Sequence, residues 1–138
     1  MIPVHRQSEP PNFDAAIRAR GRNVNPPRPP VPGAFWKNKE FWRDSLDDLH
    51  HAYGRICAFT CFRIERVTGA HSVEHFRPKS LYPELAYEWD NFRLVCSLMN
   101  SRKKDGEDIL DPFEIPHHTF NLNPESGELF GFFAVSCG

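Results

Sequence analysis

The sequence predicts an α+β domain with a single core, preceded by an extended N-terminal arm. Three observations carry that prediction. Prolines crowd the first 33 residues, a helical apolar period runs over 35–53, and a strand, loop, strand, helix order follows between 73 and 104. At 138 residues the chain has room for one compact domain and an appendage, not for two full domains.

Residues 1–33 form the arm. Pro10-Pro11, Pro26-Pro27, Pro29-Pro30 and Pro32 before Gly33 interrupt any period, because proline fixes φ and lacks an N–H. Arg6, Arg18, Arg20, Arg22 and Arg28 face only Glu9 and Asp14 there, an excess of three positive charges. Such an arm either contacts nucleic acid or a partner, or straps the domain behind it or stays a disordered tail, the last two being favoured by composition.

The domain proper covers 34–138. Phe35, Trp36, Trp42, Leu46, Leu49 and Tyr53 fall close to one face of a single amphipathic helix over 35–53, with Lys37, Lys39, Arg43, Asp44, Asp47 and Asp48 largely on the other. Gly54 is placed to cap it. His50 and His51, at its end, are expected on the surface, as are His71, His117 and His118. Residues 56–64 read as a turn and strand, and 73–76 as a strand ending at Pro78. An aromatic loop follows, holding Tyr82, Tyr87 and Trp89, and 91–95 reads as the returning strand. Ser97 is the expected N-cap of a helix over 98–104 that Asp105-Gly106 closes. A last apolar strand is expected over 129–135.

Composition bounds the function. The net charge of −1 argues against a broad basic coat, but a local basic cleft is compatible with it. No apolar run approaches the roughly 20 residues that span a bilayer, and the N-terminus has no secretory pattern. A soluble cytoplasmic protein is expected, with Cys57, Cys61, Cys96 and Cys137 as free thiols or metal ligands.

The residues with chemical potential are few. Phosphodiester hydrolysis needs a base for water and positive charge at the phosphate. Histidine titrates near neutrality and fits the first need. A carboxylate with an amide oxygen is enough protein ligation for Mg²⁺, which keeps several waters. Glu74 and His75 are adjacent, so in a regular strand they face opposite ways. They serve one site only if the strand ends there, which Pro78 favours. A side-chain amide such as that of Asn91 is able to fix the imidazole.

Val73-Glu74-His75-Phe76-Arg77-Pro78-Lys79-Ser80, Tyr87-Glu88-Trp89-Asp90-Asn91, Met99-Asn100 with Lys103, and Asp111-Pro112-Phe113 together resemble the HNH endonuclease family. The nearest branch is that of retron and Septu-type defence nucleases. The resemblance covers about residues 55 to 125, with four parts in the expected order. It implies a ββα-metal core and a metal-dependent endonuclease that cleaves DNA, with double-stranded DNA the favoured substrate and RNA left open. It also implies an ATPase subunit as partner in an antiphage system. By the same resemblance His75 is the general base, Asn91 orients it through a hydrogen bond, and Glu74 and Asn100 bind one Mg²⁺ or Mn²⁺ ion. Lys103, Arg77 and Arg102 are placed for phosphate charge. The third motif position, often histidine in the family, is asparagine here, which shifts ligation toward hard oxygen.

The resemblance departs at the cysteines. Thr60 and Met99 stand where the second cysteines of two zinc knuckles would be, after Cys57 and Cys96. Zinc sites of this kind use four ligands, so a structural Zn²⁺ is not expected and apolar packing fills the place. Two other functions remain open: a non-catalytic interaction subunit with a degenerate HNH fold, and a metal-binding structural module.

Overall fold

A computed structural model describes residues 4–68 and 71–116, and the backbone of 120–122 and 129–131. The architecture is mixed α and β: short helices around small two-stranded antiparallel sheets. His117, His118, Cys137 and residues 132–135 of the expected last strand lie outside the described residues.

The N-terminal segment straps onto the domain, one of the readings favoured for it, and is not extended throughout. Residues Asp14–Arg18 make a π-type turn that continues into α1 (Ala19–Gly21). Phe13 and Ile17 from this turn, and Val31 after the prolines, belong to the same buried cluster as the rest of the chain. Phe13 packs edge-on against Trp89 and Phe92, with ring centroids 5.5 and 5.8 Å apart. The five-residue stretch Phe13-Asp14-Ala15-Ala16-Ile17 between proline pairs has room for one apolar stripe, and burying its two large apolar side chains contributes about 1.5–3 kcal/mol each. Backbone bonds tie the segment down at its ends: Val4 N–H donates to Pro112 O at 2.8 Å and Val31 N–H to Ser80 O at 2.7 Å. The Trp89 indole N–H donates to Gln7 O at 2.9 Å. Arg6, Arg18, Arg20 and Arg22 are used within the molecule. Arg18 bonds Glu88, Glu9 and Asp14, while Arg20 pairs with Asp44 and lies over the Phe41 ring.

The single helix expected over 35–53 is also divided. A 3₁₀ turn Gly33–Trp36 is followed, after a break at Asn38 with φ of 63°, by a 3₁₀ turn Phe41–Ser45 and then α2 (Leu46–Ala52). The apolar period survives the breaks: Trp36, Trp42 and Leu49 are all buried. Their burial in the shared core outweighs continuous helix hydrogen bonding, which is weak in a segment this short. Gly54 takes φ of 60° just past α2, the left-handed conformation that ends helices. His50, expected on the surface, is buried, its Nε2 bonded to Ile64 O at 2.8 Å.

Residues 56–64 form a tight turn closed by a single bridge between Ile56 and Arg63 rather than a full strand. The first sheet pairs β1 (His71–His75) with β2 (Phe92–Cys96) in antiparallel register, His75 opposite Phe92 and His71 opposite Cys96. β1 begins two residues before the expected strand. α3 (Ser97–Lys103) follows β2 directly and packs on both strands. Its N-cap is Cys96, in extended conformation, and not Ser97. β3 (Phe120–Leu122) pairs with β4 (Leu129–Gly131) in a second antiparallel pair.

Arg93 of β2 fastens the segment after α3. Its guanidinium makes a two-pronged pair with Asp111, Nε to Oδ1 at 3.0 Å and Nη2 to Oδ2 at 2.6 Å, and lies 3.6 Å from the Phe113 ring centroid. Both partners are buried, with side chains 2 % and 7 % exposed. Among the described residues no helix is long and apolar enough to cross a membrane.

Candidate active site

β1, α3, the loop after β1 and the 33–46 segment enclose a cleft of about 530 Å³. Glu74, His75 and Asn100 all line it, together with Lys79, Trp42, His71 and Asp105. Glu74 and His75 share the cleft because β1 ends at His75. The chain then leaves the sheet through Phe76, whose N–H donates to Asn91 O at 2.9 Å, toward Pro78.

His75 is 5 % exposed. Its ring is held edge-on between Trp42 and Phe92, with centroids 4.8 and 5.3 Å away. Its Nε2 lies 2.9 Å from Ala86 O. A carbonyl only accepts, so Nε2 carries the proton and Nδ1 keeps the lone pair. Burial pushes the imidazole down to about 3, with the Lys79 charge adding to it and the Ala86 bond opposing. His75 is therefore neutral near pH 7, with its free nitrogen fixed by tautomer.

Asn91 does not bond to the imidazole. Its Oδ1 accepts from Arg77 N–H at 2.8 Å, and its Nδ2 donates to Arg77 O at 3.0 Å and Leu85 O at 3.1 Å. Both amide hydrogens are thus spent on backbone. The expected hydrogen bond to His75 is replaced by a clamp that closes the loop between residues 77 and 91. That clamp fixes the strand end carrying His75 and the 85–86 turn whose carbonyl orients the ring. Asn91 acts on His75 through the backbone.

Glu74 is 3 % exposed, and Lys103, reaching back from the last turn of α3, places Nζ 2.8 Å from its Oε1. Lys103 Nζ also donates to His75 O at 3.2 Å. Lys103 is therefore a buried structural cation, not a free phosphate contact. Burial raises the Glu74 carboxyl above its usual range, and the Lys103 bond and charge oppose this without cancelling it. Asn100 donates through Nδ2 to Ser72 Oγ and to Val73 O. With its amide nitrogen used on β1, its carbonyl oxygen is the end left to accept.

The other predicted phosphate contacts lie elsewhere. Arg77 pairs with Glu107 at 3.3 Å and rests near the Phe76 and Tyr82 rings. Arg102 is exposed on α3 and does not line the cleft. Three further residues line the cleft. Trp42 is core packing as expected and also forms part of the wall, while Lys79, given no role in the sequence, and His71, expected on the surface, line it as well. His71 shares a face of β1 with His75, four residues on, and that strand period was the signal for it. Burial lowers its basicity, with the nearby His50 and Arg66 charges adding to the effect. His71 Nδ1 and Trp36 Nε1 are buried without a hydrogen-bond partner among the described residues.

The hard-oxygen donors lining the cleft include Glu74, the Asn100 carbonyl, Asp105 and Glu40, the last paired with Arg43; Glu74 and Asn100 are the two the motif assigns to a divalent ion. Among the described residues no cluster of three or more His, Cys, Asp or Glu side chains is arranged around a metal position. A donor set of one carboxylate and one amide fits Mg²⁺, which keeps several of its waters, and does not fit Zn²⁺. The cysteines are organised differently. Cys57 is fully buried in the core. Burial would raise its thiol, but the Thr60 hydroxyl and the N–H groups of Cys96, Thr60 and Phe59 hold it below its ordinary value. Comparison with protein-family models, with curated proteins and with solved structures returns no match to the chain.

Proposed function

We propose that this chain is a metal-dependent phosphodiesterase of the HNH, ββα-metal type, acting on DNA as the nuclease subunit of an antiphage system with an ATPase partner. The observation that supports it is a neutral His75, its Nδ1 lone pair set by the Ala86 bond, lining one cleft with Glu74 and Asn100. In this reading β1 and β2 with α3 form the ββα unit.

His75 Nδ1 takes a proton from water as the water oxygen attacks phosphorus, and the sugar oxygen departs on the opposite side. A Mg²⁺ or Mn²⁺ ion held by Glu74 and Asn100 supplies neutralisation of the phosphate charge when bound. The low basicity of His75 in the free protein rises as a phosphate enters, because a nearby anion favours the imidazolium. Asn91 keeps the imidazole in place through the 77–91 clamp. Lys103 offsets part of the cost of burying Glu74 and keeps its carboxylate turned along β1.

The test is cleavage of plasmid DNA with Mg²⁺ or Mn²⁺ by wild type and His75→Ala, with and without any co-purifying partner. Loss of cleavage in the variant is expected. Equal cleavage by both sinks the assigned chemistry.

A second reading, a non-catalytic interaction subunit, is favoured by one observation: Glu74 is already satisfied by Lys103 inside the protein. Absence of cleavage under every partnered condition selects it.

A further inference from the structure

Lys79 lines the cleft beside Glu74, His75 and Asn100. Its Nζ lies 5.4 Å from the centroid of the Trp42 ring, and the same indole holds His75 edge-on at 4.8 Å. One rigid aromatic therefore positions both the cation and the imidazole. The other cations nearby are committed. Lys103 is paired with Glu74 at 2.8 Å, Arg43 with Glu40 at 3.0 Å, and Arg77 with Glu107 at 3.3 Å. Lys104, also on the cleft wall, is exposed.

Lys79 is different. It is partly buried, and Glu74, Asp105 and Glu40 act on it as charges without forming a hydrogen bond to it. Among the described residues it has no salt-bridge partner. A partly dehydrated ammonium in that position gains more from an incoming anion than a surface lysine does, since part of its hydration has already been given up. The stacking on Trp42 offsets some of that loss. A lysine is a compact point charge suited to a single phosphate oxygen.

We propose that Lys79 is the phosphate-binding residue of the cleft, its ammonium pairing with a non-bridging oxygen of the scissile phosphodiester while His75 faces the attacking water. This rests on the phosphodiesterase reading above. It moves the phosphate contact from Lys103, Arg77 and Arg102 to a residue within the motif that had no role.

The experiment is DNA binding by fluorescence anisotropy in EDTA, where no cleavage occurs, over a range of salt. It uses the full chain with any co-purifying partner, and compares wild type with Lys79→Gln, Lys79→Met and Lys79→Arg. Lys79→Gln and Lys79→Met are expected to weaken binding by about 3- to 10-fold. They also lower the slope of log affinity against log salt by about 0.9, one phosphate contact. Lys79→Arg keeps the slope. Urea midpoints establish that each variant is folded, and Lys79→Met retains the stem over Trp42 if the glutamine variant does not fold. Wild-type affinity and slope in both neutral variants overturn the role of Lys79, while His75-dependent cleavage by wild type in Mg²⁺ leaves the phosphodiesterase reading standing. A wild-type chain that neither binds nor cleaves DNA overturns both.

Discussion

Lys103 Nζ lies 2.8 Å from Glu74 Oε1, with side chains 1 % and 4 % exposed, so an ion pair joins α3 to β1 behind the cleft. The same ammonium reaches His75 O. Two charges this deep are stable only together. Lys103→Met leaves Glu74 buried without its cation and is expected to lower stability by about 3–5 kcal/mol. Adding Glu74→Gln to that variant recovers most of the loss. Urea unfolding of the two single variants and the double variant measures the coupling; additive losses would exclude the pair as a structural unit.

The depressed basicity of His75 has a pH signature. Its imidazole titrates at about 3 when folded against 6.5 unperturbed. Between those values the unfolded chain binds a proton that the folded chain does not, so stability falls as pH drops from 6.5 toward 3. The slope reaches about 1.4 kcal/mol per pH unit inside that window. Denaturation midpoints of wild type minus His75→Gln, from pH 7 to pH 4, isolate this contribution. A flat difference would show that the imidazole titrates normally.

Asn91 tests the clamp. Asn91→Ala removes three bonds that close the 77–91 loop and is expected to cost about 2–4 kcal/mol. Asn91→Asp keeps the acceptor but not the two donors, and sets a charge against the carbonyls of Arg77 and Leu85. It is expected to be at least as damaging. Amide exchange of Arg77 reports the change directly, and unaltered protection there would contradict the clamp.

Phe13 and Gly21 test whether the N-terminal segment is part of the core. Phe13→Ala is expected to cost about 3–5 kcal/mol, as for a large aromatic removed from a packed interior. Gly21→Ala sets a Cβ 2.3 Å from the Tyr87 ring, so the ring must move, at about 1–3 kcal/mol. A loose strap would tolerate both. Thermal and urea unfolding of the two variants decide the matter.

The sequence by itself indicated the order of strand, loop, strand and helix over residues 73–104, within two residues of the observed elements, and singled out Glu74, His75 and Asn100, which one cleft collects. These features are written in local patterns: short apolar runs for the strands, Pro78 after the first of them, and Asp105-Gly106 closing the helix. The 35–53 period was legible as an apolar face, but not its division at Asn38. Core burial of Trp36 and Trp42 depends on distant partners, and it dictates the backbone path more strongly than helix propensity does. Only the tertiary structure decided the rest. Phe13 and Ile17 enter the core because Trp89 and Phe92 offer them a surface, which no window of the N-terminal segment reveals. Asn91 bonds backbone rather than imidazole because folding brings the carbonyls of Arg77 and Leu85 to its amide. Lys103 is buried because α3 delivers its ammonium to Glu74 Oε1, while Lys79, from the loop after β1, lies over the Trp42 ring.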